Sequence, residues 1–535
     1  MYHSRRDKKI WLPLWIGLAI AIGIFIGSRY AQFGEGRRAA TFPKLDAVLH
    51  FIQQSYVDEI DIHQFIENTL PRIMEGLDPY STFFSADEMR RVNEEIFGRF
   101  SGVGVNFLLM QDTIVITGIL PGGPAEAAGL RQWDRIVAVN DSVVAGVNFS
   151  TQDVQRVMRG ERGSVVTLGV RRDNSPQIIQ VPITRADIPT PTIQAAYMLA
   201  NRIGMIKLGR NFGHNTFNEF ITALAGLKAR GANSFVIDLR GNTGGALEIA
   251  IAMINQFLGR DQLIVYVEGR DFPRESHFAN GSGTSQQSQV VVLVDEWSAS
   301  ASEIFAGAIQ DHDRGLVIGQ RTHGKGLVQS QRSFPDGSAV RLTVARYYTP
   351  SGRSIQRGLG EESIHRYAQH NNTHNDDELA PFQTLGGRTV YGGNGIMPDI
   401  VMEHSTEGMN SYFNQLMRHR LVEEYALMYA ERNRERLRQF DTWQELYAHL
   451  QLQPLLLNLV SFADYRGIRQ RPVYIRESAT MFEYTMYAHI VRAFFGEEAF
   501  WAVHHKIDDW VLRAIELIEA GKTTRDAILR GLYSE

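Results

Sequence analysis

Apolar positions change their spacing along the chain, and each change marks a different architecture. Residues 10–27 are an uninterrupted apolar run behind a basic start of Arg5, Arg6, Lys8 and Lys9. The run is just long enough to span a bilayer, and no clean small-x-small cleavage site follows it. It predicts an uncleaved signal anchor, with residues 1–9 cytoplasmic and the rest exported. A cleaved signal peptide is the alternative, and Arg29, Arg37 and Arg38 behind the run weaken the orientation. Residues 40–92 switch to helical spacing, in DAVLHFIQQSY and HQFIENTLPRIMEGL, and the second helix ends at the LDPYS turn, residues 77–81. Residues 97–187 switch again, to short strand-like runs (GVGVNFLL, TIVITGI, RIVAVN, VVTLGVRR, IIQVPITR) separated by turn residues. Helix starts are expected at Pro124 and Thr151 within this β-rich stretch.

From 188 to 404 strands alternate with helices, which predicts an α/β layer. SFVIDL runs into the glycine-rich loop Arg240-Gly241-Asn242-Thr243-Gly244-Gly245. QVVVLVDE leads to SASASEIFAGAIQ, where a helix starts, and GLVIG leads straight into GQRTHGKGLVQ. Ligands in such sheets gather at the C-terminal ends of strands. Residues 357–390 are a polar insertion, read as a solvated loop in preference to a metal site. Residues 405–535 return to helical spacing, with aromatic stripes expected to pack on the core or to form a homodimer interface.

Composition narrows the chemistry. The net charge of −4 over 535 residues argues against nucleic acid as a partner. The absence of cysteine removes disulfides, thiolate zinc sites and a cysteine nucleophile together. Two segments remain. In Ser298-Ala299-Ser300-Ala301-Ser302-Glu303 a serine stands between a buried strand and a helix start. Helix N–H groups there face a ligand, although Ser300 and Glu303 also fit a capping box. In Gly319–Lys325 the spacing matches a phosphate loop, but Gly326 stands where a hydroxyl is needed and a strand follows. A lysine among glycine and apolar neighbours loses solvation, its pKa falls, and as a free amine it can take a proton from serine. His312 and His323 leave a Ser-His-Asp arrangement open, and Ser298 and Ser302 are alternative nucleophiles.

Together these motifs resemble the carboxyl-terminal processing peptidases, or tail-specific proteases. That family carries an S-A-S-A-S-E segment, a G-K-G segment whose lysine lies 25 residues after the central serine, and a D-L-R-x-N-x-G-G loop; here these are Ser300, Lys325 and Asp238–Gly245. The LDPYS turn, the segment Tyr347-Tyr348-Thr349-Pro350-Ser351-Gly352-Arg353 and Gly393–Asp399 extend the resemblance over roughly residues 43–403. Residues 97–187 resemble a PDZ domain through PAEAAGLRQWDRIVAVN, with Trp133 where glycine usually stands before Asp134. The resemblance implies a crotonase/ClpP-like layered α/β protease core with an inserted β-rich PDZ domain, an N-terminal helical segment and a C-terminal helical region. It implies a serine endopeptidase with Ser300 as nucleophile, Lys325 as base and Gln329 orienting the lysine; the apolar run at residues 10–27 adds an anchor in the inner membrane, with the catalytic domain in the periplasm. Ala301 with Gly244 or Gly245, Gly244 preferred, would form the oxyanion hole. Ser101-Gly102-Val103-Gly104 would receive the carboxylate of a substrate's C-terminal tail, the peptide adding as a strand. No cofactor or metal is implied, and a regulatory partner is compatible with the family. An idle PDZ scaffold and a crotonase-like thioester enzyme are the competing readings; the Ser300, Lys325 and Gln329 set disfavours the first, and Lys325 with the PDZ insertion disfavours the second.

Overall fold

The computed structural model describes residues 42–97, 99–173, 175–358 and 380–534. The expected anchor at residues 10–27 and the centre of the polar insertion, residues 359–379, lie outside them. Among the described residues no helix is long and apolar enough to cross a membrane.

The described residues up to Leu77 form one unit and those from Asp78 onward another. The first contains helices Pro43–Ser55 and Ile62–Glu75. Proline occupies the first turn of the former, where its missing N–H costs nothing. Asp61 caps the latter by accepting from the N–H groups of His63 and Gln64.

The second unit is built on a six-stranded sheet in the order Ile193–Ala200, Ile203–Leu208, Ser234–Asp238, Gln289–Val294, Leu316–Gly319, Ile400–Val401. The first pair is an antiparallel hairpin and every later pairing is parallel. Parallel strands covered on both faces read as unbroken apolar runs, which is why VVVLV shows no alternation. Phe235 and Ile237 face a layer that includes helices Leu247–Ile254 and Ala301–Asp311. Val236, Val291 and Leu293 face the opposite way, against Trp510, Val511, Ala514 and Leu517 of helix Asp509–Glu519. Full burial of each such side chain stabilises by about 1.5–3 kcal/mol. One layer of the α/β core therefore comes from the far C-terminal helices, which the apolar spacing places in a separate region.

A second sheet carries Ala339–Tyr348 at its centre. Leu327–Ser333 pairs with that strand, as do Thr82–Phe84 and Leu263–Glu268. This arrangement brings the LDPYS segment from Asp78 onward beside the strand that follows Lys325.

The β-rich domain has the sheet order Val105–Met110, Thr113–Ile119, Arg135–Val139, Val165–Arg171, Ile178–Thr184. Its helix Thr151–Met158 starts with a capping box between Ser150 and Asp153. Val105–Met110 is an edge strand of this sheet.

Candidate active site

The loop Arg240–Gly245, the turn before helix Ala301–Asp311 and the loop around Lys325 all follow C-terminal ends of sheet strands, and they meet. The turn at Ser300 comes first. Its backbone has φ 54° and ψ −115°, a left-handed conformation that a non-glycine residue holds only under constraint. The constraint is visible in the bonds. Ser300 N–H donates to Glu303 Oε2 at 2.8 Å, and the Ser300 carbonyl accepts from Glu303 N–H and Ile304 N–H at 2.9 and 3.0 Å. The flanking serines are both fully buried and both engaged. Ser298 Oγ donates to the Leu239 carbonyl, and Ser302 Oγ donates to Asn242 Oδ1 at 2.6 Å. Ser300 is partly exposed. Of the three serines it is the one presented to the cleft.

Glu303 is the hub of the site. Its carboxylate is buried and accepts four bonds: Ser300 N–H at 2.8 Å, Lys325 N–H at 2.9 Å, Gly324 N–H at 2.7 Å and Thr322 Oγ1–H at 2.6 Å. Burial raises its pKa, and these donors, Thr322 foremost, oppose the rise. Tyr347 adds a second tie: its hydroxyl reaches the carbonyl oxygens of Ser300 at 3.0 Å and of Lys325 at 2.5 Å, sharing one proton between them. The serine turn and the lysine loop are thus fixed to each other through both their N–H and C=O groups. The capping-box spacing in the sequence reports half of this arrangement, the bond from Ser300 N–H to Glu303.

Lys325 is half-buried. Burial lowers its pKa and Arg341 lowers it further, while the Glu303 and Asp78 carboxylates pull the other way. Its ammonium donates to Gln329 Oε1 at 3.2 Å and lies 4.7 Å from the centre of the Tyr80 ring. Gln329 in turn donates from Nε2 to the Tyr80 carbonyl. Among the described residues the lysine's hydrogen bond therefore ends on Gln329 and not on Ser300 Oγ. Tyr80 is held by Asp78, whose Oδ1 accepts the N–H groups of Tyr80 and Ser81, both at 2.8 Å. Partial burial would raise the pKa of Asp78; the Ser81 hydroxyl and these N–H groups hold it below the usual carboxylate value. Sequence reasoning takes the LDPYS turn mainly as packing. The structure makes Tyr80 and Asp78 part of the lysine's setting, and the co-occurrence of LDPYS with the G-K-G segment is the available signal.

The glycine loop closes the site from the other side. Asn242 is fully buried; its Oδ1 accepts Gly244 N–H at 2.9 Å and its carbonyl accepts Ala299 N–H at 3.0 Å. A Cβ on Gly244, whose φ is 85°, would stand 2.5 Å from the Ala299 carbonyl and 2.7 Å from Ala301 N, so only glycine fits. Gly245 is locked to Phe212 by a parallel bridge. In the first helical turn Ser302, Glu303 and Ile304 donate back to the Ala299 and Ser300 carbonyls, which leaves Ala301 N–H for another acceptor among the described residues.

The two histidines differ in place. His312 caps the far end of helix Ala301–Asp311, about 18 Å along the axis from Ser300, and contacts the Leu263 carbonyl. His323 follows Thr322 beside the site, and burial, then the cations of Arg357 and Lys325, lower its pKa to about 4. It is neutral at working pH and a weak base.

In the β-rich domain Ser101 and Gly102 belong to strand Arg99–Gly102, paired with Ala186–Pro189, and the loop proper is Val103 and Gly104. That loop opens directly into the edge strand Val105–Met110. The Ser101 hydroxyl is buried without a partner among the described residues.

Comparison with known proteins follows the same divisions. Residues 202–362 match peptidase family S41, residues 115–172 match the PDZ domain, and residues 412–496 match a family of unknown function, DUF8443. The chain is 32% identical over 360 residues to the carboxy-terminal processing protease CtpA of Bacillus subtilis, a match spanning 66% of this chain and 76% of that protein. The chain belongs to the carboxy-terminal processing proteases of peptidase family S41. It is a C-terminal processing serine protease with a PDZ domain and a helical C-terminal region. A probable CtpA-like serine protease of Staphylococcus haemolyticus is 31% identical over 341 residues, covering 63% of this chain and 67% of that one. Among solved structures, the photosystem II D1 C-terminal processing protease is 28% identical, covering 59% of this chain and 91% of its own, with a TM-score of 0.33.

Proposed function

We propose that this S41 protease cuts its substrates with a Ser300–Lys325 dyad after its PDZ domain has captured the substrate's C-terminal tail. The observation that carries the reading is the double tie, through Glu303 and Tyr347, between a partly exposed serine in a left-handed turn and a half-buried lysine. Neutral Lys325 removes the proton from Ser300 Oγ as the oxygen attacks the scissile carbonyl. The negative charge moves to the carbonyl oxygen, which Ala301 N–H and the Gly244–Gly245 pair receive. For Gly244 to serve, its N–H must leave Asn242 Oδ1. The lysine ammonium then protonates the leaving amine, and water, deprotonated by the same lysine, releases the acyl group. Gln329 and Tyr80 hold the ammonium at its post between these transfers.

Val103 and Gly104, with Ser101 and Gly102 behind them, take the tail's carboxylate, and the tail extends along Val105–Met110. The parallel sheet with helices on both faces supports a crotonase/ClpP-like core. The apolar run at residues 10–27 supports an anchor in the inner membrane with the catalytic domain in the periplasm. A homodimer and a regulatory partner belong to the same reading.

The test is cleavage of a tailed protein substrate by the wild type, Ser300→Ala and Lys325→Ala. Both variants are expected to lose turnover by a factor of order 10⁴–10⁶. Cutting by both at the wild-type rate would remove the dyad. Tail binding without cutting by the wild type, with or without a regulator, would leave the PDZ scaffold.

A further inference from the structure

At its edge strand the outer face of the PDZ sheet is covered rather than solvated. Leu108 and Met110 of the edge strand, Val115 of the next strand, and Trp133 share one buried apolar cluster with the C-terminal helices, including Tyr412, Leu427, Ile490 and Val503. Three polar ties surround it. Gln132 Nε2 donates to the Ala493 carbonyl at 2.7 Å; Arg135 forms a two-pronged pair with Glu431 at 2.7 and 3.0 Å; and Arg434 pairs with Asp173 at 2.8 Å. The same helices reach the catalytic sheet, where Trp501 lies over Lys207 and Asp508 pairs with Arg240.

Trp133 is the unusual member. Its φ is 73°, where the PDZ pattern has glycine, and its indole N–H is buried without a partner among the described residues. The PDZ fold does not need the side chain. The turn is fixed by Trp133 N–H on the Ile116 carbonyl and by Asp134, which holds Arg131 N–H and Arg172. Two local penalties are offset by contacts made to the helical region. The helices meet the other face of the edge strand: Val105, Phe107 and Leu109 lie opposite Leu108 and Met110 and pack toward the PDZ domain's own core, the face on which the proposed tail would lie.

We propose that the C-terminal helical region is a dock that holds the PDZ domain at one position, groove outward, with Trp133 as its anchoring residue. The distance from captured carboxylate to Ser300 is then constant and selects which bond is cut. The selection, though not the dock, rests on the tail-capture reading above.

The chain has no cysteine, so two can be added to the full-length protein, at exposed Ser142 in the PDZ domain and exposed Ser276 in the core, and spin-labelled. One narrow distance is expected, broadening in Trp133→Gly, a substitution that relieves the backbone. A broad wild-type distribution, or a narrow one in Trp133→Gly, would overturn the dock. Glu431→Ala, which alters only the helical side, serves if Trp133→Gly does not fold, and is expected to broaden the distribution less. Mass spectrometry of tailed peptides of graded length then reads the cut. Wild type is expected to cut at one spacing from the C-terminus and Trp133→Gly at several, with unchanged rate on an untailed peptide. Unchanged spacing despite a freed PDZ domain would overturn the selection. If wild type cuts nothing, the selection falls with the dyad reading, while the label distances still decide the dock.

Discussion

Glu303 has four donors around two oxygens, three of them backbone N–H groups that cannot accept; the Thr322 hydroxyl is the one partner that also accepts. Replacing one oxygen by an amide sets N–H against N–H, so Glu303→Gln is the severe substitution here despite its matched shape. Leaving one or two of these buried donors unpaired costs about 1–3 kcal/mol each. The expected outcome is a fall in kcat of roughly 10-fold to 10³-fold with a smaller change in KM, read by steady-state kinetics. Lys325 gives a second prediction. In the proposed dyad the reactive form is the free amine, so kcat/KM rises with pH and levels off above the lysine's folded-state pKa, which burial and Arg341 hold below the ordinary lysine value. Removing the neighbouring cation in Arg341→Ala raises that pKa, so the rising limb moves to higher pH. A limb that stays in place would mean that Arg341 does not tune the lysine. His323→Gln is expected to leave the limb where it is.

At the scale of elements, much of the active site is legible because its motifs end strands. SFVIDL, QVVVLVDE and GLVIG read as buried strands, and the loops of the candidate site follow each directly. The PDZ sheet is equally plain from its short runs and turns. Contacts made across long sequence separation are not legible in this way. Tyr80 meets Lys325 only because Thr82–Phe84 and Leu327–Ser333 both pair with Ala339–Tyr348. No local periodicity encodes that. Helix Asp509–Glu519 reads as one more amphipathic helix, and nothing in its own pattern says that its apolar face covers the catalytic sheet. Trp510 makes this testable. It is buried, stacks on His404 with 4.9 Å between ring centres, and donates its indole N–H to the Glu403 carbonyl. Trp510→Ala is expected to cost about 3–5 kcal/mol, seen as an earlier denaturant midpoint of the protease core.

Across the whole molecule, PDZ domain and catalytic sheet are joined through the C-terminal helices as well as through the chain that connects them. Trp133 shows the energetic balance: a left-handed non-glycine residue costs of order 1–3 kcal/mol and an unpartnered buried N–H about 1–3 kcal/mol, while losing a well-packed Trp side chain typically costs about 3–5 kcal/mol. Burial is of the size of the two penalties together, so the strained turn persists. The placement of helix Asp509–Glu519 carries a consequence for biosynthesis. Ser300 and Lys325 leave the ribosome long before the helix that forms one wall of their sheet. Until that helix is made, one face of the parallel strands is bare, and the loops at their ends lack a firm base. A nascent chain therefore carries the proposed dyad in an unfinished frame until that helix is made, which guards the growing polypeptide against cutting itself.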